Sequence, residues 1–68
     1  MTTKEYLRLR PGSIVYKFDP ALRFRVPGRV ESKRYLLIRA DFGQGIDEYW
    51  YTELEVKNQE IQLLQQGE

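Results

Sequence analysis

The chain contains no cysteine and no histidine. The first absence excludes disulfides, thiolate zinc sites and cysteine nucleophiles, and the second excludes a Ser-His-Asp triad and the commonest transition-metal ligand. No apolar run approaches the roughly 18 residues of a membrane span. Arg8 and Arg10 interrupt the leucines where a signal peptide would need its apolar segment. We therefore expect a cytoplasmic protein that uses no cofactor or metal and is not an enzyme.

The residues that are present suit one small globular domain. The chain has 68 residues, of which 41% are hydrophobic, 31% charged and 13% aromatic. This length allows a single domain over residues 1–68 and no separate substrate or cofactor domain. The high aromatic content, which includes five tyrosines, favours strands over helices.

The net charge of +1 conceals a strong asymmetry. Residues 1–39 hold ten basic and three acidic side chains, whereas residues 40–68 hold one basic and seven acidic side chains. Such a split indicates a charged partner. It is equally compatible with two halves of opposite sign that pair within one domain.

Alternation of apolar and polar residues predicts extended backbone along most of the chain. Residues 6–10 are predicted to be a half-buried extended segment. Strands are predicted at residues 13–18, 23–26, 29–32, 35–42 and 46–52, with a bend at Pro27-Gly28 and a tight turn at Lys33-Arg34. A loop is expected from Asp19 to about Leu22.

The strand at residues 35–42 has the clearest core face. Its apolar side would consist of Leu36, Ile38, Ala40 and Phe42. Residues 52–55 are predicted to form one helical turn that is capped by the Thr52 hydroxyl, with Leu54 in the core. Beyond a turn at residues 57–60, residues 61–63 could form a last strand, or residues 60–66 a helix. Residues 65–68 are expected to fray.

These features predict an all-β fold, a small barrel of four to five antiparallel strands with one short helical turn before the last strand. Closure of a barrel would remove exposed strand edges, which a short chain tolerates badly. An open antiparallel sheet with a C-terminal helix across it is the alternative.

Several short motifs resemble those of SH3-like small β-barrels over roughly residues 7–57. They are Leu9-x-Pro11-Gly12-Ser13-x-Val15, Gly28-x-Val30, the apolar strand from Leu36 to Phe42, the Gly43-Gln44-Gly45 turn and Tyr49-Trp50-Tyr51-Thr52-Glu53-Leu54-Glu55. Within that group the chain is similar to small accessory subunits of photosynthetic electron-transfer complexes, including the ferredoxin-docking subunit of the NAD(P)H-dehydrogenase-like complex. The resemblance implies a non-enzymatic accessory subunit. The Pro27-Gly28 pair and the tail beyond Val56 depart from that subunit.

A basic strand face is the first candidate site. Arg23, Arg25 and Arg29 alternate with inward residues and are expected to project to solvent together, with Arg8, Arg10 and Lys17 on a neighbouring face. Guanidinium groups suit carboxylates and phosphates. We therefore predict that this face docks an acidic protein, and a nucleic-acid backbone is the alternative partner.

The aromatic residues form the second candidate site. If Tyr49 and Tyr51 pack inward, Trp50 lies on the surface, whereas the opposite register would place Trp50 in the core. An exposed tryptophan beside arginines is typical of docking surfaces. Trp50 and Tyr35 could also stack on bases of single-stranded nucleic acid. Exposed apolar residues leave a dimer interface open as a third role.

The remaining motifs predict no chemistry. Residues 43–45 lack the further residues of a phosphate loop and are predicted to be a turn. The acidic residues Asp41, Asp47 and Glu48 match no metal-binding loop. Glu53 and Glu55 flank Leu54 without an evident pocket, so we expect them to be solvated rather than to act in acid–base catalysis.

Overall fold

The computed structural model describes residues 1–58, so the predictions for residues 59–68 lie outside the described part. The elements, in chain order, are helix α1 (Thr3–Arg8), strands β1 (Ile14–Asp19), β2 (Phe24–Arg34), β3 (Leu37–Asp41) and β4 (Ile46–Trp50), and a 3₁₀ turn at Tyr51–Glu53. The four strands form one open antiparallel sheet in the order β1-β2-β3-β4. The predicted all-β class is confirmed in part, as a mostly-β fold of four antiparallel strands with a 3₁₀ turn after β4. The strand that was predicted to follow this turn, at residues 61–63, lies outside the described part.

One further backbone contact lies beside β1. Tyr16 N donates to Glu55 O at 2.8 Å and Glu55 N donates to Tyr16 O at 2.9 Å, so Glu55 forms an isolated antiparallel bridge to that strand. The chain after the 3₁₀ turn therefore reaches β1, at the edge of the sheet opposite β4.

The core lies on one face of the sheet, beneath α1. Its buried members come from the helix, the strands and the segment after the 3₁₀ turn: Tyr6, Leu9, Val15, Val30, Ile38, Ala40 and Leu54. Ile38 and Ala40 are fully buried, as the alternation of β3 predicts, and Leu54 is fully buried as well. Leu36 breaks the predicted core face, because 40% of it is exposed.

The N-terminal segment is the largest departure from the predicted strands. Residues 6–8 are helical rather than extended, because a helix begins at Thr3 and ends at Arg8, and Leu9 beyond it is extended, with φ of −67° and ψ of 145°. Glu5 N donates to Thr2 Oγ1 at 3.1 Å and Thr2 N donates to Glu5 Oε1 at 2.8 Å, which is a reciprocal capping box. The sequence contains this capping box as Thr2-x-x-Glu5. The alternation of apolar and charged residues over residues 6–10 predicted an extended segment instead.

The end of α1 is fixed by β2. Lys33 Nζ donates to Tyr6 O at 2.7 Å and to Leu7 O at 2.9 Å, which are carbonyls of the last helical turn. The same ammonium lies 4.8 Å from the Tyr6 ring centroid. Leu36 N donates to the Tyr6 hydroxyl at 3.1 Å. These contacts hold the helix on the core.

The β2–β3 turn lies two residues later than predicted. Arg34 pairs with Leu37, so Tyr35 and Leu36 form the turn, with φ of 54° and 67°. Positive φ at both positions is what a two-residue hairpin needs for the twist of its strands to match. The predicted turn at Lys33-Arg34 is wrong, and β3 begins at Leu37, because the twist of the paired strands imposes the turn without a glycine or asparagine to mark it.

Strand β2 is continuous where a bend was predicted. Pro27 fits within it because β3 pairs only from Arg29 onwards, so β2 is an edge strand at the proline. The irregularity lies instead between Val30 and Ser32, where the register with β3 shifts and Glu31 has no partner. This bulge reverses the facing of the residues that follow.

The 3₁₀ turn confirms the predicted helical turn but not its cap. Trp50 N donates to Glu53 Oε1 at 2.9 Å, and the turn covers Tyr51–Glu53. The carboxylate of Glu53 therefore takes the capping role that was predicted for the Thr52 hydroxyl. A carboxylate three residues on reaches the amide at the start of the turn, as in the second half of a capping box.

Gly28 is required by the packing of Phe42. A Cβ at Gly28 would overlap Cδ1 and Cε1 of the Phe42 ring, which itself packs edge-on against Tyr49 at 5.3 Å. We predict that Gly28→Ala lowers the free energy of unfolding by about 1–3 kcal/mol in chemical denaturation.

The matched control for this prediction is the same change in a Phe42→Ala background. There the side chain ends at Cβ, so none of the overlapping ring atoms remains, and Gly28→Ala should cost less than half as much. An equal loss in both backgrounds would show that Phe42 is not the residue that requires glycine.

Candidate partner-binding face

The face of the sheet opposite the core, here called the outer face, carries the exposed arginines and aromatics. Directly paired residues in neighbouring strands point to the same side of a sheet. The buried residues Val30, Ile38 and Ala40 fix the core side, so the alternate positions define the outer face. Its residues across β2, β3 and β4 are Arg29, Ser32, Arg34, Leu37, Arg39, Asp41, Ile46, Glu48 and Trp50.

One row of this face combines arginine with aromatic side chains. Arg34 pairs with Leu37, and Leu37 pairs with Trp50, so the three side chains lie side by side across three strands. The Arg34 guanidinium lies 4.9 Å from the ring centroid of Tyr35 in the adjoining turn. Tyr35 is 79% exposed and Trp50 56%. We call these four residues the arginine–aromatic cluster.

The register of the aromatic triplet is the one in which Trp50 faces solvent. Tyr49 and Tyr51 are half-buried and pack against the core. The Tyr51 ring lies 5.7 Å from that of Tyr6, and the Tyr49 ring 5.3 Å from that of Phe42. The inward tyrosines fill the space that Trp50 would occupy in the opposite register.

The three arginines predicted to project together do not form one row. Arg29 is exposed on the outer face, but Arg23 lies in the β1–β2 loop with φ of 62°. Arg25 shares the outer side with Arg29, yet its side chain is only 21% exposed. Its Nη2 lies 3.9 Å from Glu55 Oε2, and its guanidinium lies 5.8 Å from the Phe18 ring centroid. Arg25 is thus engaged within the fold.

Arg8, Arg10 and Lys17, which were predicted to share a neighbouring face, lie in α1, in the loop beyond it and in β1, respectively. Arg8 is exposed in the last turn of α1, and Arg10 is exposed just beyond it, where its N donates to Ser13 Oγ at 3.0 Å. Both belong to the segment that covers the core side. Lys17 pairs with Val26 on that side too. None of the three lies on the outer face.

Two outer-face arginines were missed from the sequence. Arg39 lies between the buried residues Ile38 and Ala40, so the alternation that predicted the core face could have placed it outside. Arg34 was assigned to a turn. Its facing depends on the bulge between Val30 and Ser32, for which the sequence offers no signal.

Folding neutralises the charge asymmetry only in part. The register places Arg39 opposite Glu48 and Arg29 opposite Asp41, so basic and acidic halves meet in the middle of the outer face. Among residues 1–58, the one ion pair within 4.0 Å that joins two described residues is Arg25–Glu55. The row of Arg34 contains no acid, so basic charge is displayed beside the exposed aromatics.

Asp41 stabilises the β3–β4 turn. Asp41 Oδ1 accepts a hydrogen bond from Gly43 N at 2.7 Å, and residues 43–45 form the predicted turn between the strands. No group of three or more acidic residues within residues 1–58 is arranged to hold a metal ion. The longest helix of that part has six residues, so no helix there could cross a membrane.

No protein-family model, no curated protein and no solved structure matches the chain. The function therefore has to be argued from the geometry of the outer face.

The turn between β2 and β3 generates a stability prediction. Left-handed φ is unfavourable for bulky residues, and Tyr35 and Leu36 both adopt it. Replacement of the pair by Asn-Gly, which this turn favours, should raise the free energy of unfolding by about 1 kcal/mol. Thermal and urea denaturation measure the change.

An Ala-Ala replacement at the same two positions is the control, because it removes the exposed side chains and keeps the left-handed penalty. It should give no such gain. If Ala-Ala stabilised the protein as much as Asn-Gly, relief of backbone strain would not be the cause.

Proposed function

We propose that this protein is a non-enzymatic binding module that docks an acidic protein partner through the arginine–aromatic cluster, with Arg29 and Arg39 beside it. The observation that carries the proposal is the row of Arg34, Leu37 and Trp50 with Tyr35 against the guanidinium. Arginine, tyrosine and tryptophan are the residues that contribute most to protein interfaces. Here they lie together and exposed.

The contact between Arg34 and Tyr35 prepares the guanidinium for a carboxylate. The guanidinium carbon lies 4.9 Å from the ring centroid, and a cation–π contact leaves the N–H donors available to a bidentate acceptor. Leu37 and Trp50 provide apolar area next to that charge, which favours an acidic side chain followed by an apolar one. The partner we infer therefore carries acidic and apolar residues in close succession.

The conformation of the turn supports a binding role for Tyr35. The chain keeps two bulky residues in a left-handed turn where Asn-Gly would cost less. Strained backbone concentrates at functional positions. A tyrosine that is 79% exposed contributes little to the core, so its benefit is best explained by contacts outside the molecule.

We further propose that the sheet closes as an SH3-like barrel and that the protein acts as an accessory subunit of a larger assembly. The supporting observation is the bridge between Tyr16 of β1 and Glu55, which follows directly on the 3₁₀ turn beyond β4. Such a bridge brings the chain back to the first strand and covers part of its open edge.

Nucleic acid is the second candidate partner. Trp50 and Tyr35 are exposed aromatics near arginines, a composition that also suits single-stranded nucleic acid. Glu48, which lies next to Trp50's row and opposite Arg39, repels the continuous phosphate backbone of a nucleic acid more than it repels a protein whose carboxylates are separated by apolar residues. The acidic protein is therefore the first choice.

The test uses fluorescein-labelled peptides of alternating glutamate and leucine, and a labelled oligothymidylate, in anisotropy titrations at about 50 and 200 mM salt. We expect the peptide to bind more tightly than the oligonucleotide. Arg34→Glu with Arg39→Glu should weaken peptide binding by about tenfold or more, because it reverses the charge beside the aromatics. Trp50, the only tryptophan of the chain, gives an intrinsic fluorescence signal for the same contact.

Arg8→Glu with Arg23→Glu is the matched control, since it changes net charge equally on other elements. It should change affinity by about twofold at most. If both double variants weakened binding equally, attraction would be diffuse and the outer face would not be the site. Tighter binding of the oligonucleotide, with a steep salt dependence, would assign the face to nucleic acid instead.

A further inference from the structure

A cleft opens on the core side of the sheet, beyond the buried core. Its volume is about 380 Å³, and its walls include Lys17, Leu22, Val26, Phe42, Asp47 and Tyr49. Lys17 and Val26 are paired across β1 and β2, and Tyr49 is paired with the buried Ile38, which places the cleft on the face opposite the arginine–aromatic cluster. The cleft is thus separate from the proposed docking site.

The ammonium group of Lys17 is held over two aromatic rings. Its Nζ lies 5.5 Å from the centroid of Phe42 and 5.2 Å from that of Tyr49, and the residue is half-buried. These contacts act on the charge and do not involve the three N–H donors. Within residues 1–58, the Lys17 ammonium makes no hydrogen bond or ion pair to another side chain or to the backbone.

Neither of the two acidic residues that line the cleft forms an ion pair with the Lys17 ammonium. Asp19 Oδ1 accepts from Ala21 N at 2.8 Å and from Leu22 N at 3.3 Å, so this carboxylate stabilises its own loop. Asp47 is exposed, and it lies farther than 4.0 Å from Lys17. A positioned cation with free donors in a partly enclosed site is a receptor for an acceptor group.

We propose that this cleft binds a carboxylate carried on a compact apolar group, with Lys17 as the anchor. The carboxylate accepts from Lys17 Nζ, and the apolar group lies against Leu22, Val26 and the aromatic rings. Asp19 and Asp47 both line the cleft, and they repel a doubly charged phosphate more strongly than a singly charged carboxylate, which favours the latter. The ligand is a small organic acid or an acidic residue flanked by apolar ones.

Amide-resolved NMR titration of the full chain tests the proposal, with phenylacetate as the first probe. Shifts should concentrate on the residues of the cleft and saturate. Phenylacetamide has the same shape without the charge and should bind at least about tenfold more weakly. A second arm compares acetyl-Leu-Glu-Leu-amide with its Gln counterpart and distinguishes a peptide carboxylate from a free acid.

Lys17→Met keeps the length of the side chain and removes the charge, so it should weaken phenylacetate by at least about tenfold. Lys4→Met, on the exposed face of α1, should leave the affinity unchanged. Lys17→Arg retains a cation and should retain binding, which guards against a loss caused by misfolding.

Two results would overturn the proposal. One is the absence of saturable shifts at the residues of the cleft with either carboxylate probe, whatever shifts the peptide produces on the outer face. The other is preferential binding of phenethylammonium that strengthens in Lys17→Met, which would make the aromatic pair a cation site occupied by Lys17. Neither depends on the outer face, so this proposal and the docking proposal fail separately.

Discussion

The hydrogen bonds from the Lys33 ammonium to the end of α1 hold the fold together. A four-stranded sheet of this size has one apolar face, and that face needs a cover. Tyr6 of helix α1 and Leu9 directly after the helix provide much of it, but a six-residue helix is too short to be stable alone. Its N-terminus is capped locally by Thr2 and Glu5, whereas two carbonyls of its last turn accept hydrogen bonds from Lys33 of β2, and one of them also accepts from Leu9 N. The packing of the core and the helical structure of α1 therefore stabilise each other.

The sequence predicted those features that depend on alternation within one strand. Ile38 and Ala40 are fully buried because β3 is flanked on both sides, and its period of two leaves no other choice of face. The turn at residues 43–45 was predictable because glycine marks it. Trp50 remained undecided from sequence, since the choice of face depended on how Tyr49 and Tyr51 pack against Phe42 and Tyr6.

The features that escaped prediction depend on more than one element. The turn at Tyr35-Leu36 carries none of the residues that favour positive φ, and the pairing of β2 with β3 imposes it. Arg25 reads as solvent-facing by alternation, but Glu55 comes to it from a distant part of the chain. For that reason the candidate site is centred on Arg34 and does not include Arg23 or Arg25. Helix α1 is the exception among these features, because the capping residues Thr2 and Glu5 mark its start within the local sequence.

The bulge between Val30 and Ser32 assigns neighbouring basic residues to opposite roles. It turns Lys33 inward to the helix and Arg34 outward to Tyr35, and without it the two side chains would exchange faces. The count of residues between Val30 and the hairpin turn is therefore more constrained than their identities. Diverged relatives would preserve this spacing while their side chains varied. An insertion or deletion of a single codon there would disrupt both the contact of Lys33 with helix α1 and the outer face.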